Sequence, residues 1–264
     1  MIVTIDPGED NTEAQVRTIQ NDKIKIIHTC WDMSKRAGGV VYADETNKAL
    51  DAVSKESDWI FYIQADEVIH EKDHNAILKA AHEYEHQNKV EGLLFHYIHF
   101  YGTYDYVGVC RQWYGYETRM IKNNSSIRSY KDAQGFRKNQ EKLKVKAIDA
   151  HIYHYGWVKN PQLQKAKQMD FGKLWMSDEK AIKKHQAYLE SLKNGFLYEA
   201  EVDSLKNFDG THPSVMKERI ANADWQFEFD INKKHFRDFK SRLLYAVEKA
   251  TGVRLFDYKN YKII

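Results

Sequence analysis

The stretch Asp58-Trp-Ile-Phe-Tyr-Ile-Gln-Ala-Asp-Glu67 constrains the fold more than any other part of the chain. Trp59 to Ile63 is an unbroken apolar run, and it stops at two adjacent carboxylates, Asp66 and Glu67. A short run without polar alternation predicts a strand buried on both faces, which belongs in a parallel sheet covered by helices. In such sheets ligands collect at the carboxyl ends of the strands. Carboxylates placed there suit a hard divalent cation such as Mg²⁺ or Mn²⁺, held through one or two of them together with phosphate oxygens. The run therefore points to a metal-assisted site for a phosphorylated ligand.

The flanking segments predict alternating strands and helices. Ile2 to Ile5 is a short strand that ends at the turn Asp6-Pro7-Gly8, and Asp10 or Thr12 is placed to cap a helix reaching about Asn21. Ile24 to His28 reads as a strand, Tyr42 to Ser54 and Asp73 to Asn88 as helices, and Gly92 to Phe100 as an aromatic strand. This alternation implies βαβ units and a largely parallel sheet. Further strands are expected at Glu117–Ile121, Ile127–Lys131 and the charge-alternating Lys142–Ile148. After His151-Ile-Tyr-His-Tyr-Gly-Trp157 the pattern turns helical, over about Pro161–Trp175, Ser177–Asn194 and Lys234–Thr251. The expected organisation is a core over 1–160 and a helical C-terminal extension over 161–264 packed on it.

Composition narrows the class of protein. Hydrophobic residues make up 42% of the 264 and charged residues 30%, enough for a core and a well-solvated surface. Forty basic residues against 38 acidic give a formal charge of +2, which offers no warrant for nucleic-acid binding as a whole-chain property. Two cysteines, Cys30 and Cys110, make neither a disulfide framework nor a CxxC metal site. No run approaches the ~20 apolar residues of a membrane-spanning helix, and no signal peptide precedes the first strand. A cytoplasmic protein is expected.

Taken together, Val3-Thr-Ile-Asp-Pro-Gly-Glu-Asp-Asn-Thr12, Glu45-Thr-Asn-Lys-Ala-Leu50 and Asp58–Glu67 resemble, in order and spacing, family 2 glycosyltransferases of the GT-A fold. The resemblance covers roughly residues 3 to 160. It implies a mixed, mostly parallel α/β sheet, a nucleotide-diphosphate sugar donor and an inverting, metal-dependent transfer. The acceptor it implies is a cell-surface glycan or a lipid-linked one. In such enzymes the carboxylate closing the central strand holds the divalent metal that bridges the donor diphosphate; here that residue is Asp66, with Glu67 beside it. Asp6 matches a carboxylate that contacts the nucleoside, and Asn47 matches a residue lining the nucleotide pocket. Gln64 stands where the first acid of the metal motif is expected; it can accept a ribose hydroxyl but brings no charge to a metal. These enzymes usually carry about 30–40 residues, a strand and a helix, before the first turn. The chain begins almost at that turn, so the expectation is either a truncated start or a protein that lacks part of its donor site.

The resemblance places the general base after Thr118-Arg-Met-Ile-Lys-Asn123, an interval in which Asp132 is the one carboxylate. Such a base takes the proton of the acceptor hydroxyl as that hydroxyl attacks the anomeric carbon. A histidine near the metal or diphosphate is implied within His151–Trp157. Alternation on a strand puts His151 and His154 on opposite faces, and His154, ahead of a Gly-Trp turn, is the expected one. Arg111, Arg119, Arg128 and Arg137 offer forked donors for diphosphate or acceptor, and Trp113, Tyr114 and Trp157 offer faces for sugar stacking.

Two other signals compete. His70-Glu-Lys-Asp-His74 and His82-Glu-Tyr-Glu-His86 both match H-E-x-x-H, a zinc-hydrolase motif, although their x positions are charged where a buried helix would be apolar. The basic amphipathic segment Lys233–Val247 is expected either to pack on the core or to lie against an anionic membrane at the inner face, where lipid-linked acceptors reside. The resulting expectation is a metal-dependent glycosyltransferase; the alternatives are a nucleotide-sugar-binding or partner-dependent protein without turnover and, third, a zinc hydrolase.

Overall fold

Alternating strands and helices form as the sequence suggests through the first third of the chain, and then strands take over. The computed structural model describes residues 1–6, 11–191, 202, 204–232, 234, 236 and 238–264. The elements are, in order, β1 (Ile2–Ile5), α1 (Thr12–Arg17), β2 (Lys25–His28), α2 (Val40–Asp51), β3 (Trp59–Phe61), β4 (Glu67–Ile69) and α3 (His74–Tyr84). There follow β5 (Gly92–Tyr101), β6 (Tyr106–Gly108), β7 (Tyr116–Lys122), β8 (Ile127–Tyr130), β9 (Gly135–Lys138), β10 (Glu141–Lys142) and β11 (Lys144–Trp157). The remainder supplies α4 (Pro161–Lys173), α5 (Asp178–Ser191), β12 (Leu205–Asn207), α6 (Lys217–Ala221), α7 (Phe239–Thr251) and β13 (Lys262–Ile263). Asp10, expected as a helix cap, lies outside the described residues.

The fold is mixed α/β with parallel strands, but its sheets are not mostly parallel. Among the described residues the parallel pairings are β1 with β2, β5 with β11, and β11 with β13. The others are antiparallel: β3 and β5 each pair with β7, β4 with β11, β5 with β6, β6 with β12, and β9 with both β8 and β10. Short connections decide this, because a turn as brief as 102–105 returns the chain only as an antiparallel neighbour. The main sheet is built around β5 and β11, and β1 with β2 forms a separate pair.

Trp59–Phe61 is not the doubly buried central strand that its composition predicts. It pairs with β7 alone among the described residues, and Phe61 and Ile63 are exposed. Phe61 instead stacks on Phe95 at 5.3 Å. The apolar run reflects one packed face and one open one.

The core lies on both faces of β5. On one, Leu93, Phe95 and Tyr97 pack with Ile77 and Ala80 of α3 and with Ile148, Ala150 and Ile152 of β11. Ile77 and Ala80 lie at helical spacing and form the apolar stripe of α3. On the other, Leu94 packs with Ile121, Ile127, Phe136 and Val145, and Tyr261 from the C-terminal stretch completes the cluster. The part after residue 160 is therefore not a purely helical addition: β12 and β13 join the main sheet, and Tyr261 joins its core.

Candidate functional site

The turn Gln64–Glu67 turns its two carboxylates toward opposite environments. Glu67 starts β4, and its side chain is wholly buried together with that of Arg119 from β7. Arg119 donates to Glu67 Oε1 through Nη2 at 2.8 Å and to Oε2 through Nε at 3.0 Å. Tyr97 donates its hydroxyl to Oε1 at 2.7 Å, and the Gln64 N–H donates to Oε2 at 3.1 Å. The third guanidinium nitrogen of Arg119, Nη1, donates to the Gln134 carbonyl at 2.9 Å. Both carboxylate oxygens and all three guanidinium nitrogens of this pair are thus engaged, which is what a buried charge pair requires. Glu67 as a metal ligand and Arg119 as a donor-phosphate contact, both expected from the sequence, are replaced by one structural ion pair.

Asp66 points the other way and keeps about a third of its side-chain surface. Lys167 of α4 donates to its Oδ2 at 3.1 Å and to the Gly156 carbonyl at 3.0 Å. Nε2 of His154 stands 3.8 Å from the same oxygen, too far for a hydrogen bond. Burial opposes ionisation of Asp66, yet in the acid range where a carboxyl titrates the protonated form of His154, together with Lys167, outweighs it and holds the carboxyl below its ordinary range.

The tautomers follow from the partners. The Tyr114 carbonyl only accepts, so His99 Nε2 carries the proton and donates to it at 2.8 Å. His99 Nδ1 then accepts from His154 Nδ1 at 3.1 Å, which leaves the lone pair of His154 on Nε2, facing Asp66. Burial pushes His99 down to about 3 and lowers His154 as well, so both rings are neutral at neutral pH. β11 comes this close only because residue 156 is glycine: a Cβ there would lie 2.6 Å from Asp66 Oδ2 and 2.6 Å from His154 Nε2. Gly156 lies within β11 rather than in the turn its sequence suggests.

A carboxylate oxygen and a neutral imidazole nitrogen facing one another fit a divalent ion of the Mg²⁺ or Mn²⁺ kind as two protein ligands. Among the described residues no third His, Cys, Asp or Glu joins them. Such an ion would draw the rest of its shell from phosphate and water.

The other expected site residues have different positions. Asn47 accepts from the Ser129 N–H at 2.8 Å and donates to the Ser129 carbonyl at 3.4 Å, so it fastens α2 to β8 rather than lining a pocket. Gln64 donates to the Tyr62 hydroxyl at 3.2 Å. Asp6 is exposed at the end of β1, where it accepts from the Trp31 N–H at 3.3 Å. Of the remaining arginines, Arg111 pairs with Glu248, Arg128 with Asp51, and Arg137 donates to the Phe136 and Asn260 carbonyls. Trp113 is buried, and it stacks on His99 at 5.1 Å and meets Trp157 edge-on. The H-E-x-x-H histidines do not converge: His70 caps the turn before α3 while His74 opens the helix, and His82 is strongly exposed.

Asp132 lies in the β8–β9 turn between Lys131 and Ala133, both in the left-handed region at φ +54° and +59°. Backbone held there by residues other than glycine is strained, and strain of this kind collects at functional positions. The turn brings Asp132 against Gly39, whose own φ is +75° and whose added Cβ would meet Asp132 Cβ at 3.0 Å. A second carboxyl, unanticipated from the sequence, accompanies it. Glu117 of β7 is buried, its Oε2 has no hydrogen-bond partner among the described residues, and burial pushes its pKa up to about 8, with Asp132 among the charges adding to the rise. Glu117 is therefore an acid that keeps its proton at neutral pH.

A cavity of about 250 Å³ lies elsewhere, on the β8–β9 hairpin, lined by Ser126, Arg128, Tyr130 and Arg137 among others. Its arginines are already engaged, so it is not a ready anion site. Comparison of the chain with protein-family models and with curated proteins gives no match.

Proposed function

We propose that the chain transfers a sugar from a nucleotide-diphosphate donor to a glycan or lipid-linked acceptor, as a family 2 glycosyltransferase of GT-A type does, within cell-surface polysaccharide synthesis. The observation that carries the reading is the ionised Asp66 held open between His154 and Lys167 at the edge of the main sheet. Asp66 and His154 would hold the divalent cation, and when bound that cation supplies charge to offset the developing diphosphate leaving group. Lys167, bonded to the same carboxylate, would be available to a phosphate oxygen if a cation engaged Asp66. Asp132, in the turn strained at Lys131 and Ala133, is the proposed base for the acceptor hydroxyl.

A specific observation favours a second reading, donor binding without turnover: Lys167 already neutralises Asp66, and Gln64 adds no charge. Release of nucleotide diphosphate from a panel of donor sugars, with and without Mn²⁺, separates the two. The transfer reading expects release that falls at least ~100-fold in Asp66→Ala, in line with loss of an electrostatic stabiliser. Donor binding by calorimetry with no release in any combination supports the second reading, and absence of nucleotide binding removes both.

A further inference from the structure

The stretch from Val253 to Tyr261 is built inside out. Its polar side chains face the body: Arg254 donates to the Cys110 carbonyl at 3.1 Å and stands 3.6 Å from both Glu248 and Asp257. Arg111, itself paired with Glu248 at 2.9 Å, donates to the Leu255 carbonyl. Asn260 and Tyr261 are buried, and the Asn260 backbone carbonyl accepts from Arg137 at 2.9 Å. The apolar side chains face outward. Phe256 is 88% exposed and Tyr258 67%, with Val253 and Leu255 also exposed. Phe256 is held at φ +57°, a conformation unfavourable for an aromatic residue, and the flanking arginine contacts fix it there. On α7, Phe239 and Leu243 are also exposed, and their spacing of four puts them on one face of that helix.

Charge concentrates in the same stretch. Residues 239–264 hold six Lys and Arg against two acids, a net +4 within a chain of net +2. Both acids, Glu248 and Asp257, are in ion pairs with arginines, whereas Lys240, Arg242, Lys249, Lys259 and Lys262 are exposed.

We propose that this surface docks on an anionic phospholipid bilayer, with Phe256, Leu255 and Tyr258 entering the interface and the exposed bases meeting the headgroups. Exposed aromatics among lysines are the arrangement that combines apolar insertion with attraction to anionic lipid. A second copy of the chain is disfavoured as occupant because a two-fold contact would bring this surface against itself, like charge on like. The proposal stands independently of the transferase reading, since it concerns residues outside the Asp66 site.

Flotation with phosphatidylcholine vesicles containing about a third phosphatidylglycerol, and with phosphatidylcholine alone, tests it. The expected result is binding to the anionic vesicles only. Binding weakens at least ~10-fold in Phe256→Asn, the loss expected for one buried aromatic, and also in a Lys240→Gln, Lys249→Gln, Lys259→Gln triple variant. Asparagine tolerates the left-handed backbone, so Phe256→Asn keeps the loop, and circular dichroism confirms the fold. Absence of flotation, or flotation unchanged in Phe256→Asn, overturns the proposal. So does a concentration-dependent dimer in sedimentation that Phe256→Asn dissolves, which would assign the surface to a second copy.

Discussion

Asp66 and Glu67 are consecutive residues with opposite fates, and the contrast separates scaffold from chemistry in this molecule. Glu67 meets Arg119, Tyr97 and a backbone N–H, and nothing of it is left to bind with. Asp66 meets one ammonium at 3.1 Å and an imidazole lone pair beyond bonding distance, in a space that only a glycine keeps open. A saturated buried polar cluster fixes one arrangement of the strands; an under-saturated one at the surface retains capacity for a ligand. A counterpart of this contrast sets Asn47 of α2, bonded through both its amide oxygen and its amide nitrogen to Ser129, against Glu117 of β7, whose Oε2 has no partner among the described residues.

The contrast is broken most severely from the saturated side. Glu67→Ala leaves the Arg119 charge buried and unpaired, and is expected to cost about 3–5 kcal/mol. Replacing both partners, Glu67→Leu with Arg119→Met, restores part of that: no charge is left buried, although the Tyr97 hydroxyl, the Gln64 N–H and the Gln134 carbonyl lose these partners. Urea unfolding of the two variants measures the difference. A single substitution costing under ~1 kcal/mol would mean that Glu67 is solvated and available, and the division proposed between the two acids would fail.

Glu117 gives a pH-dependent test of the same idea. Its folded pKa is about 8 against an ordinary 4.5, raised chiefly by burial. Between these values the folded state holds a proton that the unfolded state has released, so stability falls as pH rises through that window. Glu117→Gln mimics the protonated acid and has nothing to lose. The variant and the parent should differ by less than ~1 kcal/mol at pH 5 and by roughly 4 kcal/mol in favour of the variant at pH 8, read from Tm across the range. Equal pH profiles would show that Glu117 is solvated or paired.

How far the sequence foresaw this follows from the range of each interaction. The α3 stripe of Ile77, Ala80 and Tyr84 and the long strand β5 were legible because their periodicity is local. So was His154, set apart from His151 by alternation on one strand: His154 faces Asp66, while His151 bonds Asp73. The antiparallel pairings were not legible, since hydrophobic pattern specifies burial and not partner. Trp59–Phe61 misled because an apolar run looks alike in a covered strand and at an open edge. The Glu67–Arg119 pair spans 52 residues and Lys167 reaches Asp66 across 101, so neither leaves a local motif. His99 sits in an aromatic run and reads as core; only its register beside His154 reveals that it sets a tautomer.

The gentlest perturbation is Gly156→Ala, and it probes the open side of the contrast. The added methyl would meet the far ends of two side chains, Asp66 Oδ2 and His154 Nε2, at 2.6 Å each, rather than backbone. Asp66 is partly exposed and swings outward at little expense, so the stability cost is about 1 kcal/mol, at the low end for overpacking. The geometry is lost all the same. With its carboxylate moved from His154 and Lys167, Asp66 loses the charges that hold its pKa down, and the value should climb toward the ordinary carboxylate range. Asp66 contributes stability that is present above its unfolded pKa and is lost as pH falls through the depressed folded one, so the variant should also lose less stability on acidification. A carboxyl-carbon NMR titration of Asp66 in both proteins reads this without a donor, an acceptor or a metal. An unshifted Asp66 in Gly156→Ala would mean that the carboxylate is not held by His154 and Lys167, and its claim to be the open half of the pair would go with it.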